Sequence, residues 1–82
     1  MNNFDLSVNI NTSPETLDSL ANDAGPYIRR NVAGNPNTLP ETLERLANDG
    51  FYWVRYWVAK NPNTPQYIKD YLKIKRILNC YE

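Results

Sequence analysis

The chain has 82 residues, nine Lys+Arg against nine Asp+Glu, no His and one Cys. Folding hides about 60% of the surface of a chain this size, which allows one core and no second domain. Zero net charge excludes the basic signature of a dedicated nucleic-acid binder, and Cys80 alone excludes a His/Cys zinc site, a disulfide framework or a His-based triad. No run approaches the roughly 18 apolar residues of a membrane span, and residues 1–12 lack the basic start and apolar run of a signal peptide, so a cytoplasmic domain over residues 1–82 is expected.

In chain order, residues 1–10 form a degenerate end in which Leu6-Ser7-Val8-Asn9 matches Val32-Ala33-Gly34-Asn35. Residues 11–36 (NTSPETLDSLANDAGPYIRRNVAGNP) and 37–62 (NTLPETLERLANDGFYWVRYWVAKNP) are identical at 15 of 26 positions. Residues 63–82 open as a third copy, NTPQYIKDYL, one residue shorter before its proline, and continue without another turn signal. Repetition at this period predicts stacked units that cannot bury their apolar faces alone.

Each full unit reads as two short helices. Thr12 with Glu15 and Thr38 with Glu41 have capping-box spacing, and Pro14 and Pro40 fall in the first turn, where a missing N–H removes no intrahelical bond. Leu17, Leu20 and Ala21, then Leu43, Leu46 and Ala47, recur at i, i+3, i+4 and predict one buried stripe per helix. Asn22-Asp23 and Asn48-Asp49, with Gly25 and Gly50, break these helices. Second helices follow, carrying Tyr27, Ile28 and Val32, then Trp53, Val54, Trp57 and Val58, with Trp53 expected in the core. They stop before Asn35-Pro36 and Asn61-Pro62, because the residue preceding a proline is disfavoured in the helical region.

At the third copy, a box from Asn63 to Gln66 or a Thr64 cap with Pro65 in the first turn are both open, and one helix is expected from about 65 to 79. Tyr67, Tyr71, Ile74, Leu78 and Tyr81 would share one side of it and Lys69, Lys73 and Arg76 the other. The expected fold is all-α, a short α-solenoid of about two and a half to three helix pairs closed by a long C-terminal helix.

The strings NTSPETLDSLA, NTLPETLERLA and VRYWVAKNPNTP resemble the leucine-rich repeat variant family over roughly residues 6–72. That resemblance implies a right-handed superhelix of alternating α- and 3₁₀-helices, or of two short α-helices per unit, and no catalytic residues. Some members hold a cysteine-ligated iron–sulfur cluster in an added N-terminal region; with Cys80 alone, no cofactor or metal is expected here. Tyr56 and Trp57 depart from the family, which places small or basic residues there.

Phe51-Tyr52-Trp53-Val54-Arg55-Tyr56-Trp57 holds five aromatics in seven positions, against one in residues 25–31. Helical spacing spreads Tyr52, Trp53, Tyr56 and Trp57 over more than one face, so part of the cluster is expected at the surface, where rigid aromatics beside arginine suit a binding hot spot. Arg29 and Arg55 share a repeat position, for which an ion pair or carbonyl contact with Asp23 or Asp49 competes with partner contact. Residues 1–50 carry seven acids and three bases (net −4), and residues 51–82 six bases and two acids (net +4). The expected partner-binding residues are Phe51, Tyr52, Arg55, Tyr56, Trp57, Lys69, Lys73 and Arg76.

Enzyme chemistry is not expected: Ser7, Ser13 and Ser19 lack a partner base, and helix-end roles account for the paired carboxylates. The reading is a non-catalytic module that binds or masks one protein partner. The Asn-, Tyr-, Lys- and Ile-rich style of so small a chain is compatible with a phage or mobile-element inhibitor of a host system. Single-stranded nucleic acid on residues 51–76, or a homodimer through Leu6–Ile10 or the aromatics, are the alternatives.

Overall fold

The computed structural model describes residues 2–79, with side chains through residue 76. They form six helices: α1 (Asn3–Val8), α2 (Pro14–Leu20), α3 (Pro26–Gly34), α4 (Pro40–Leu46), α5 (Tyr52–Lys60) and α6 (Gln66–Asn79). Among the described residues there is no strand. Both helices of each sequence unit are α-helical.

Proline opens α2, α3 and α4 at the first turn, where its fixed φ suits the helix. The expected capping boxes do not form. Ser13 is the N-cap of α2, its hydroxyl accepting from the Thr16 N–H at 3.2 Å, and Leu39 precedes α4 without a side-chain cap. Thr12 and Thr38 are buried instead, and donate at 2.6 Å to the carbonyls of Leu6 and Val32 at the end of the preceding helix. Thr64 does the same to Val58 O at 2.6 Å. An N-cap role needs the threonine beside the first turn; anchoring one residue further back, it satisfies an otherwise orphaned C-terminal carbonyl.

That anchor also fixes the third copy. Pro65 stands one residue ahead of α6, with its carbonyl accepting from Ile68 and Lys69 N–H, so neither cap considered for this turn is used. The 26-residue register is kept without a deletion: buried Ile68 and Leu72 stand where Thr42 and Leu46 stand in α4. The expected apolar side of α6 is therefore displaced. Tyr67, Tyr71 and Ile74 are exposed, because the two tyrosines lean outward and donate their hydroxyls to Glu44 Oε2 (3.1 Å) and Asn48 Oδ1 (2.7 Å). Leu78, as a side chain, and Tyr81 lie outside the described residues.

The core runs as a seam through the molecule, which measures 42 × 23 × 15 Å. Leu17, Leu20, Leu43 and Leu46 from α2 and α4 meet Val32, Ala33, Val54 and Val58 from α3 and α5, with Ile68 and Leu72 closing it from α6. Burying each of the larger side chains contributes about 1.5–3 kcal/mol. α3 makes its most extensive contact with α5 and the next with α1. Tyr27 and Trp53 are not core; they are 55% and 48% exposed, since Val32 and the pair Val54/Val58 already fill the inward face and an indole adjacent to Val54 must turn outward.

Asparagine side chains tie the helix ends together, a role the sequence reading did not assign. Buried Asn35 donates to Ser7 O and Asn9 O at 3.0 Å each, and buried Asn61 donates to Ala33 O (2.7 Å) and Asn35 O (2.9 Å). Each also turns its own chain, as Asn35 Oδ1 accepts from Asn37 N–H and Asn61 Oδ1 from Asn63 N–H. Asn37 and Asn63 repeat the reach two residues on, to Ile10 O and Thr12 O and to Pro36 O and Thr38 O.

Candidate functional site

Between α5 and α6 lies a groove of about 560 Å³. From α5 it takes Tyr52, Arg55, Tyr56, Ala59 and Lys60; from α6, Lys69, Leu72, Lys73, Lys75 and Arg76. Those six cations are all the bases of residues 51–82, and among the described residues no carboxylate lines the groove. Two helical turns bring Tyr52, Arg55, Tyr56 and Ala59 to one side of α5, and the i, i+3, i+4 and i+7 spacing of Lys69, Leu72, Lys73 and Arg76 does so on α6. Among the described residues none of the six is in a salt bridge.

The tyrosines hold part of this charge in place. The Arg55 guanidinium lies 6.0 Å from the Tyr52 ring centroid and Lys60 Nζ 5.5 Å from that of Tyr56, with the two rings 6.3 Å apart. Such contacts are worth about 0.5–1 kcal/mol when exposed. Arg55 also donates to Asp49 O at 2.6 Å through one terminal guanidinium nitrogen, which anchors that end of a side chain lining the groove.

Arg29, at the same position of the earlier unit, is more fully engaged. It donates to Asp23 O at 2.9 Å and grips Asp49 with two bonds, 2.7 and 3.2 Å. Burial opposes ionisation of Asp49, but bonds from Arg29 and from the Phe51 N–H, with the charges of Arg29 and Arg55, outweigh it and hold the carboxyl below its usual range. The same bond raises Arg29 above the ordinary arginine value, burial working against it. On α6, the bond that the Tyr67 hydroxyl donates to the Glu44 carboxylate raises the phenol above its ordinary value, with the charges of Glu44 and Glu41 acting in the same direction.

Of the eight residues expected to bind a partner, the structure brings Tyr52, Arg55, Tyr56, Lys69, Lys73 and Arg76 into the groove. Phe51 and Trp57 lie elsewhere. Phe51 packs partly buried against the core with its ring edge-on to Tyr27 at 5.5 Å. Trp57 covers Gly34 and borders a second, shallower groove with Val8, Ile10 and Pro36. Lys60 and Lys75 were not expected. Their signal lay in the charge count, since they belong to the six bases of the basic half, but Lys75 falls outside the Lys69–Lys73–Arg76 helical row.

Among the described residues no cluster of three or more His, Cys, Asp or Glu is placed to hold a metal ion, and no helix is long and apolar enough to cross a membrane. Compared with known proteins, the chain matches no family model, no curated protein and no solved structure.

Proposed function

We propose that this chain is a short, non-catalytic right-handed α-solenoid, akin to leucine-rich repeat variant proteins, that binds or masks one partner protein through the α5/α6 groove. The observation that carries this reading is the convergence of six bases and two tyrosines on one groove where, among the described residues, no acid lines the wall and no salt bridge engages the bases. Concentrated charge of one sign steers a complementary surface and discriminates against wrong ones, and tyrosine adds area at little entropy cost. The solenoid part of the reading is supported by the asparagine and threonine bonds that recur at 26-residue intervals.

Single-stranded nucleic acid is the second reading, favoured by the tyrosine rings beside the cations. The acids of residues 1–50 would repel a polyanion continuing past the groove. Affinity capture from the source cell tests both. Wild type should recover one protein that Lys69→Glu/Lys73→Glu loses while its circular dichroism is unchanged. Equal recovery by both proteins, or recovery of nucleic acid alone, refutes the protein-binding reading.

A further inference from the structure

We infer that the α5/α6 groove is a seat for one acidic α-helix of the partner protein, which packs on α5 as α5 packs on α3. This rests on the protein-binding reading above and specifies the shape and charge of what is bound.

The packing of α5 on α3 leaves three marks on α3, and each has an unanswered counterpart on α5. Ala33 is fully buried under α5, whereas Ala59, 26 residues later, is only partly buried. The carbonyls of Ala33 and Asn35 receive the Asn61 side-chain amide, whereas those of Ala59 and Asn61 receive no such donor among the described residues. Arg29 receives the Asp49 carboxylate, whereas the position 26 residues after Asp49 is Lys75, and among the described residues Arg55 has no carboxylate partner. In place of the turn that carries Asp49, α6 runs straight on and sets Lys73, Lys75 and Arg76 along the far wall. The seat thus keeps the form that accepts a helix while its charge changes to require carboxylates from outside.

Charge complementarity decides the occupant. A second copy docking its open edge would present α1, whose one carboxylate, Asp5, faces six bases. A helix with acids at i, i+3 and i+4 would meet Arg55 and the α6 wall together. Charge-assisted bonds of the kind seen at Arg29–Asp49 would then form across the interface.

Titration of fluorescent peptides with the purified 82-residue chain tests this. One probe is an Ala/Leu/Glu peptide of about 16 residues with a single acidic face, long enough to hold some helix alone. The second has the same composition with two central prolines, and the third is a single-stranded oligonucleotide. The helical probe should bind saturably, gain helicity on binding, and lose about tenfold in affinity with Arg55→Gln, equivalent to about 1.4 kcal/mol. Lys73→Glu, an exposed change that leaves the fold intact, should weaken it by a similar factor. Equal binding of the proline probe overturns the helix seat while leaving protein binding standing. Tighter binding of the oligonucleotide overturns both, and no peptide binding at low salt overturns the seat.

Discussion

Asn61 shows how much one amide can hold. Its two donors meet two buried carbonyls and its oxygen turns the chain at Asn63. Asn61→Ala would leave buried Ala33 O without that donor, at about 1–3 kcal/mol, while Asn35 O keeps its bond from the Thr38 N–H. Asn61→Asp, nearly the same shape, replaces the donor by a buried carboxylate facing carbonyl oxygens, and should destabilise more than alanine at pH 7. Urea unfolding of the two variants gives the order; an aspartate variant as stable as wild type contradicts the bonding described. Asp49 gives a pH signature. Its carboxyl is lower in the folded chain than the roughly 3.9 of an unfolded aspartate, so its stabilisation is complete above about pH 4 and disappears as pH falls through the lower folded value. Asp49→Asn should cost about 1.5–3 kcal/mol near neutrality, and its unfolding midpoint should approach that of wild type as the solution is acidified.

Among the helices, α3 and α5 differ at one instructive position. Gly34 ends α3 with a negative φ, and a methyl there would meet the Trp57 ring at 3.5 Å, an ordinary contact distance. Gly34→Ala should therefore raise stability by about 0.5 kcal/mol, through reduced freedom of the unfolded chain and added contact with the indole. A fall in the thermal midpoint would mean that Trp57 sits closer to α3 than described. Helices α2 to α6 were legible from local chemistry, because proline, the Leu-x-x-Leu-Ala stripe and the Asn-Pro stops act within one or two turns, whereas α1 was not. What each helix end does was less so. Thr12 and Thr38 satisfied the spacing of a capping box, yet a buried carbonyl six residues back wins their hydroxyls. Trp53 and the α6 tyrosines misled for a related reason: amphipathic rings with polar tips satisfy a helical stripe on either face, and only the smaller valines, Ile68 and Leu72 fit the narrow seam.

At the scale of the whole chain, opposite charge is sorted to opposite halves, −4 over residues 1–50 and +4 over 51–82. The groove gathers the whole of the second half's positive charge, so binding should be strongly salt-dependent. Association rate for an acidic probe should fall as ionic strength rises toward 0.15 M, where screening acts over about 8 Å, while dissociation changes less. Stopped-flow measurements at two salt concentrations check this, and a salt-independent association rate would remove the groove's charge as the steering element.

By itself the sequence determined the order of the five helices α2 to α6 and the existence of a basic half, because those depend on turn chemistry and periodicity over a few residues, whereas residues 1–10 read only as a degenerate end where the structure places α1. It marked Tyr52, Arg55 and Tyr56 on one segment and Lys69, Lys73 and Arg76 on another. Only the tertiary structure decided that these segments face each other, that Lys60 and Lys75 join them, and that Phe51 and Trp57 do not. The physical reason is that the threonine and asparagine bonds at the end of α5 fix where α6 starts and how it is rotated, and a rotation of one residue, about 100°, would send its lysines elsewhere.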